Sequence, residues 1–156
     1  MKVRHAEAKD IDDILRLLTQ VNMIHHTIRP DLFKGPATKY SRKELEEKIR
    51  IDQNPIFVLP GDDGRILGYI FCEAQEVKES PLRTHIRTLY IDDLCVDETD
   101  RGQHIGQQLY DYALNYAREQ GYYNITLHVW GGNDSALHFY QRMGMRSQYQ
   151  CLEQIL

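Results

Sequence analysis

Apolar residues recur along this chain with two periods, one near 3.6 and one of 2. Ile11, Ile14, Leu15, Leu18 and Val21 are three and four apart, which predicts an amphipathic helix with Asp10 as its N-cap. Ser41 and Glu44 stand at capping-box spacing and predict a charged helix reaching about Ile51. A third helix is predicted from about His104 to Gln120, with the stripe Ile105, Leu109, Tyr112, Ala113 and Tyr116 and with Gly121 at C′. Asn133 caps a fourth and Gly144 ends it. Strands are predicted over 2–6, 56–59, 66–77, 86–96, 123–130 and 145–156. The turn at 60–64 makes 56–59 and 66–77 a hairpin, and Ile125, Leu127 and Val129 share one face of 123–130. Residues 23–40 are irregular, interrupted by Pro30, Gly35 and Pro36.

The predicted order is β-α-α-β-β-β-α-β-α-β, an α/β fold with a mixed sheet. Strand 86–96, helix 104–120 and strand 123–130 form a βαβ unit, whose strands should be parallel neighbours joined by a right-handed crossover. No repeat, linker or low-complexity segment divides the 156 residues, so one domain spanning 1–156 is expected.

Composition narrows the function classes. Hydrophobic residues at 42% and charged ones at 27% are ordinary for a globular domain, and a net charge of −4 offers no general field for nucleic acid. The longest apolar run, 66–72, is too short to cross a bilayer, and MKVRHAEAKD lacks the apolar core of a signal peptide. Cys72, Cys95 and Cys151 are odd in number and each falls in a predicted strand. Free thiols in a reducing cytoplasm are therefore expected, with no disulfide framework. No metal is expected either, because the adjacent His25 and His26 are badly placed to chelate together and no carboxylate cluster accompanies them.

The stretch DDLCVDETDRGQHIG, 92–106, is the most informative. A loop feeding a helix N-terminus collects unpaired N–H groups and the positive end of the helix dipole at one point, which suits a pyrophosphate. Arg101 and Gly106 match a [Q/R]-x-x-G-x-[G/A] loop, with His104 standing where the pattern has glycine. Asn133, Ala136 and Tyr140 match N-x-x-A-x-x-x-Y. Phe139, Tyr140, Gly144 and Met145 match F-Y-x-x-x-G-[FM]. With these three patterns at this spacing, the chain resembles the GNAT superfamily of acetyl-CoA-dependent N-acetyltransferases over nearly its whole length.

The resemblance implies a mostly antiparallel sheet with a central parallel βαβ splay and helices on both faces. It implies acetyl-CoA as cosubstrate. The pantetheine arm would lie against backbone groups of Leu94 and Val96, and the pyrophosphate against amides of Gly102, Gln103, His104, Ile105, Gly106 and Gln107. Arg101 and Asn133 complete that set. Tyr140 would stand beside the thioester sulfur as proton donor. Similar proteins are often homodimers, and a terminal strand at a sheet edge would need covering.

Transfer to an amine needs the ammonium to lose a proton, at a cost of roughly 4 kcal/mol for an alkyl amine at neutral pH. Strict alternation puts Tyr90, Asp92, Leu94 and Val96 on one face and Asp93 with Cys95 on the other. Asp92 is then the candidate base, Glu73 the alternative and a water chain a third, while Asp93 reads as a solvated edge carboxylate. Similar proteins carry an acidic residue at the place of Asp92 when they act on polyamines, and they line the acceptor site with the helix 1–helix 2 connection. His26, Arg29 and Phe33 are the candidates there, joined by His25, Asp31 and Tyr40. Trp130, His128 and His138 read as bystanders. The implied reaction is direct acetyl transfer in a ternary complex to a primary amine, a small-molecule amine or polyamine rather than a protein. A catalytically weak acyl-CoA sensor on the same fold is the alternative. At His104 the added Cβ predicts an ordinary helical first turn with the imidazole near the phosphates.

Overall fold

The computed structural model describes residues 2–156. Five strands form one sheet in the order β1-β2-β3-β4-β5: β1 Arg4–His5, β2 Ile56–Pro60, β3 Ile66–Val77, β4 Ile86–Val96 and β5 Asn124–Thr126. All neighbours are antiparallel except β4 and β5, which are parallel, as a βαβ crossover requires. The helices are α1 Ile11–Ile28, α2 Arg42–Lys48, α3 Ile105–Glu119 and α4 Asp134–Arg142.

Local sequence closes the helix ends. Ser41 and Glu44 form the reciprocal capping box of α2, with Glu44 N–H donating to Ser41 Oγ at 3.2 Å and Ser41 N–H to Glu44 Oε2 at 2.7 Å. Helices α3 and α4 both end in Schellman turns, with Gly121 and Gly144 at positive φ. Tyr122 N–H reaches Ala117 O, and Met145 N–H reaches Tyr140 O. Asp10 departs from its predicted use. It precedes α1 without capping it by a side-chain bond, and instead accepts from Glu7 N–H and from both terminal nitrogens of Arg4.

The sheet is buried on both faces. On one, α3 brings Ile105, Leu109, Ala113 and Ala117 against Leu67, Ile70, Leu89 and Ile91. On the other, α1 and α2 bring Ile14, Leu17, Leu18 and Leu45 against Val58, Tyr69 and Phe71. Each fully buried aliphatic side chain contributes roughly 1.5–3 kcal/mol, so the two cores rather than helix propensity hold α1 and α3 in place. No helix among the described residues is long and apolar enough to cross a membrane.

The last third carries the largest departures from the predicted elements. Residues 145–156 form no strand and are almost wholly exposed, and β5 covers only three of the eight residues expected. Alternation gives these segments strand-like patterns, but a strand exists only where another backbone pairs with it, and β4 stops pairing with β5 at Tyr90↔Thr126. Cys151 is accordingly exposed outside any strand, whereas Cys72 and Cys95 are buried free thiols that burial pushes up to about 12. Helix α2 also ends at Lys48, short of Ile51, and β1 is two residues rather than five.

Asp97, just after β4, ties α1 to the β2–β3 hairpin. Its carboxylate is 1% exposed and accepts from Arg16 of α1, from Arg65 Nη1 at 2.8 Å, and from the Thr99 N–H at 3.1 Å. Burial opposes ionisation there, but the Thr99 N–H, the Arg16 guanidinium and the Thr99 hydroxyl outweigh it and hold the carboxyl at about 2. Its folded value lies below that of an unfolded aspartate, so this stabilisation is complete above about pH 4 and fades as pH falls toward 2. Asp97→Asn is expected to lower the urea unfolding free energy by about 2–4 kcal/mol at neutral pH. The gap between variant and wild type should narrow steadily as pH falls from about 4 to about 2.

Candidate active site

The site is built where β4 leaves β5. Beyond Tyr90↔Thr126 the two parallel strands separate, so the β5-side backbone groups of Ile91 to Val96 have no strand partner among the described residues. Backbone N–H and C=O groups left without a strand partner on a part-buried edge call for a polar partner. Leu94 and Val96 lie along this free edge, packed against the α3 core.

A bulge changes which side chains share a face. Phe71 of β3 pairs with Asp93 and Cys72 with Ile91, so Asp92 is an extra residue without a partner. Leu89 and Ile91 face the α3 core, and after the extra residue Leu94 and Val96 face it again. Both Asp92 and Asp93 consequently point to the α1–α2 side, where Tyr69 donates to Asp93 Oδ2 at 2.8 Å and Tyr40 donates to Asp92 Oδ2. The expected face of Asp92, shared with Leu94 and Val96, is corrected by the bulge.

Asp93 is no solvated edge carboxylate. Burial pushes its carboxyl up to about 6, against the Tyr69 hydroxyl and the positive charge of Lys39, while Asp92 adds repulsion. Lys39 stands 2.7 Å from Asp92 Oδ1, and Tyr40 stacks on Phe71 with ring centroids 5.6 Å apart. Sequence reasoning missed Lys39. An exposed lysine in an irregular connection carries no local sign of what it meets 53 residues later.

Tyr140 lies on α4 beside Phe139 and Tyr110, half-buried. Burial, then the negative charge of Asp93, pushes its phenol well above the ordinary value and keeps the O–H protonated at neutral pH. Asn133 is spent partly on structure, because its Oδ1 caps α4 by accepting from Ala136 N–H at 3.3 Å.

Between β4 and α3, Gly102 and His104 both adopt left-handed backbone, with φ of 83° and 60°. His104 is the one non-glycine residue among those described with positive φ, so the expected helical turn at this position is corrected. Gln103 between them has negative φ, and an alternation of handedness in a turn before a helix can aim N–H groups inward as an anion nest. Closing that turn into α3 enforces the conformation on histidine, at roughly 1 kcal/mol. Gly106 serves packing instead, since a Cβ there would stand 3.3 Å from Phe139 Cζ and 3.5 Å from Val96 Cγ2. An open cleft of about 700 Å³ runs along α1 to this loop, lined by Thr19, Met23, Ile28, Glu98 and Arg101 among others. It reaches the candidate phosphate loop but not Asp92 or Tyr140.

His26, Arg29 and Phe33 gather at the end of α1. His26 Nδ1 contacts Phe33 O at 2.7 Å, Phe33 meets Trp130 edge-on at 5.2 Å, and Arg29 pairs with Asp31 and Glu153. None of the three bonds to Asp92, whose side-chain partners are Lys39 and Tyr40. His128 lies between the Tyr90 and Tyr149 hydroxyls, 3.2 Å from each. No group of three or more His, Cys, Asp or Glu side chains among the described residues is arranged to hold a metal.

A sequence profile of the acetyltransferase (GNAT) family matches residues 21–145. An uncharacterised N-acetyltransferase of Methanocaldococcus jannaschii is 25% identical over 146 residues, covering 94% of this chain and 61% of its own length. Streptothricin acetyltransferase of Streptomyces lavendulae is 33% identical over 88 residues, 56% of this chain and 42% of its own. The chain thus spans less than two thirds of these relatives. A crystal structure of a point mutant of the BH1408 protein from Bacillus halodurans superposes with a TM-score of 0.96 at 30% identity, covering 100% of this chain and 99% of its own.

Strain at His104 makes a prediction independent of activity. His104→Gly should leave the melting temperature unchanged or raised, because relief of the left-handed conformation offsets the added freedom of the unfolded chain. His104→Val should lower stability by about 1–2 kcal/mol, since a β-branched side chain tolerates positive φ worst. Equal stability of the Gly and Val variants in thermal melts would contradict the strain.

Proposed function

The chain belongs to the GNAT acetyltransferase family, and from that premise we propose that it transfers the acetyl group of acetyl-CoA to a primary amine by direct attack in a ternary complex. The observation that carries this reading is the coincidence, at one end of the βαβ unit, of a free β4 edge, an amide nest at the start of α3 and a protonated tyrosine.

Amides of the 102–107 turn, with Arg101, receive the pyrophosphate, and the free edge at Leu94 and Val96 receives the pantetheine amides. The free N–H₂ of the Asn133 amide is available to the same ligand. A backbone N–H at Leu94 polarises the thioester carbonyl. Asp92 meets the acceptor ammonium, and its proton passes through water to the Asp92–Asp93 pair, in which Asp93 has the raised proton affinity. Glu73, opposite Tyr90 on β3, adds negative charge to the same side. The nitrogen then attacks the acetyl carbon, the C–S bond breaks, and Tyr140 donates to the departing sulfur.

Three carboxylates and the hydroxyls of Tyr40 and Tyr90 favour a cationic acceptor, a small amine or polyamine, with His26, Arg29 and Phe33 shaping the wall beyond. A cytoplasmic setting is supported by the buried thiols of Cys72 and Cys95. A homodimer remains part of the proposal on the exposed Tyr149, Leu152 and Ile155, not on the terminal edge strand first expected, and a monomeric mass by light scattering would remove it.

Thiol release from acetyl-CoA against a panel of amines tests the reaction. Turnover with at least one cationic amine is expected. Thermal stabilisation by acetyl-CoA without any turnover would favour the acyl-CoA sensor instead. Tyr140→Phe should keep acetyl-CoA affinity within a few-fold and lower kcat by ~10²–10⁴-fold. Because Asp93 must be ionised to accept a proton, kcat/KM should climb as pH rises through about 6. The groups facing it are Tyr69, Lys39, Asp92 and Tyr140. Asp93→Asn should abolish that limb while raising the melting temperature above pH 6, where the wild type holds a buried charge.

A further inference from the structure

Lys39 occupies the place that the proposed acceptor would take. Its ammonium stands 2.7 Å from Asp92 Oδ1 and 3.4 Å from the Asp92 carbonyl oxygen, and 5.6 Å from the centre of the Tyr40 ring. Tyr40 donates to the other oxygen of the same carboxylate. A carboxylate, a backbone carbonyl and an aromatic face are what a primary ammonium recognises. The 29–41 connection is held over the site by defined bonds: Asn22 Nδ2 donates to Gly35 O at 2.9 Å and His26 engages Phe33 O. Asp92 is the bulged residue at the free edge of β4, and Leu94 lies two residues on, about 7 Å along an extended strand. Burial, with the positive charge of Lys39 added, lowers the proton affinity of the His25 imidazole.

We propose that Lys39 is an internal acetyl acceptor, modified within its own chain when acetyl-CoA is bound and no external amine is present. This rests on the acetyltransferase reading. The Lys39 ammonium gives one proton to water, its nitrogen attacks the thioester carbonyl, and the C–N bond forms as the C–S bond breaks. The nitrogen releases a second proton as the amide forms, and the sulfur takes one up to leave as the CoA thiol. The net products are acetyl-Lys39, CoA and one proton. Acetylation removes the positive charge, so the pair with Asp92 is lost and the carboxylate is freed. An ordinary surface ion pair would contribute little and receive no acetyl group.

Wild-type protein is incubated with acetyl-CoA alone and its lysines followed by peptide mass mapping. Lys39 should be acetylated about tenfold or more faster than the exposed Lys78, at a rate independent of protein concentration. Tyr140→Phe should slow labelling of Lys39 by on the order of 10²-fold and leave Lys78 unchanged. Labelling of Lys39 at the pace of Lys78, or insensitive to Tyr140→Phe, or rising with protein concentration, would overturn the proposal. Thiol release with the amine panel is run alongside. Turnover with external amines but no labelled Lys39 removes the internal acceptor alone, and absence of both removes the acetyltransferase reading with it.

Discussion

Strand β4 has to satisfy two demands at once: it pairs with β3 to its end and stops pairing with β5 halfway. That asymmetry is the constraint on which the rest depends. A ladder continued on both sides would bury every backbone group and leave no polar edge. One abandoned on both sides would lose the core, because Leu89, Ile91 and Cys95 are held by β3. The single bulge at Asp92 is the local device that reconciles the two, since a bulge increases twist and re-aims side chains without ending the strand.

The chemistry of the site follows from that bend. Two neighbouring carboxylates on one face is an arrangement a regular strand forbids, and it places like charges together where solvent is scarce. The response is differentiated. Asp92 finds Lys39 and Tyr40, while Asp93 sits deeper, accepts from the Tyr69 hydroxyl, and shifts toward the neutral form. Burial, with the negative charge of Asp93 added, holds the proton of Tyr140 in place. Strain at His104 has a related origin, because the loop that leaves β4 turns sharply into α3 with Gly102 and His104 both at positive φ. Asp97, bound by Arg16 and Arg65, anchors the start of that loop to α1 and the hairpin, so the splay opens against a fixed post.

Sequence by itself determined what depends on neighbours a few residues away. The capping box of Ser41 and Glu44, the glycine-ended helices at Gly121 and Gly144, the 56–60/66–77 hairpin and the parallel βαβ unit were all legible, because periodicity, caps and turn residues act within one turn of chain. So was the family, since its motifs are local too. Tertiary structure decided the rest. Alternation assigns faces only if no residue is extra, and whether Asp92 is extra depends on how Phe71 and Cys72 are paired twenty residues earlier. The left-handed turn at His104, the pairing of Lys39 with Asp92 and the raised proton affinity of Asp93 have the same origin. Each is set by what packs around the residue, and desolvation and long-range pairing leave no mark on the residues beside it in the chain.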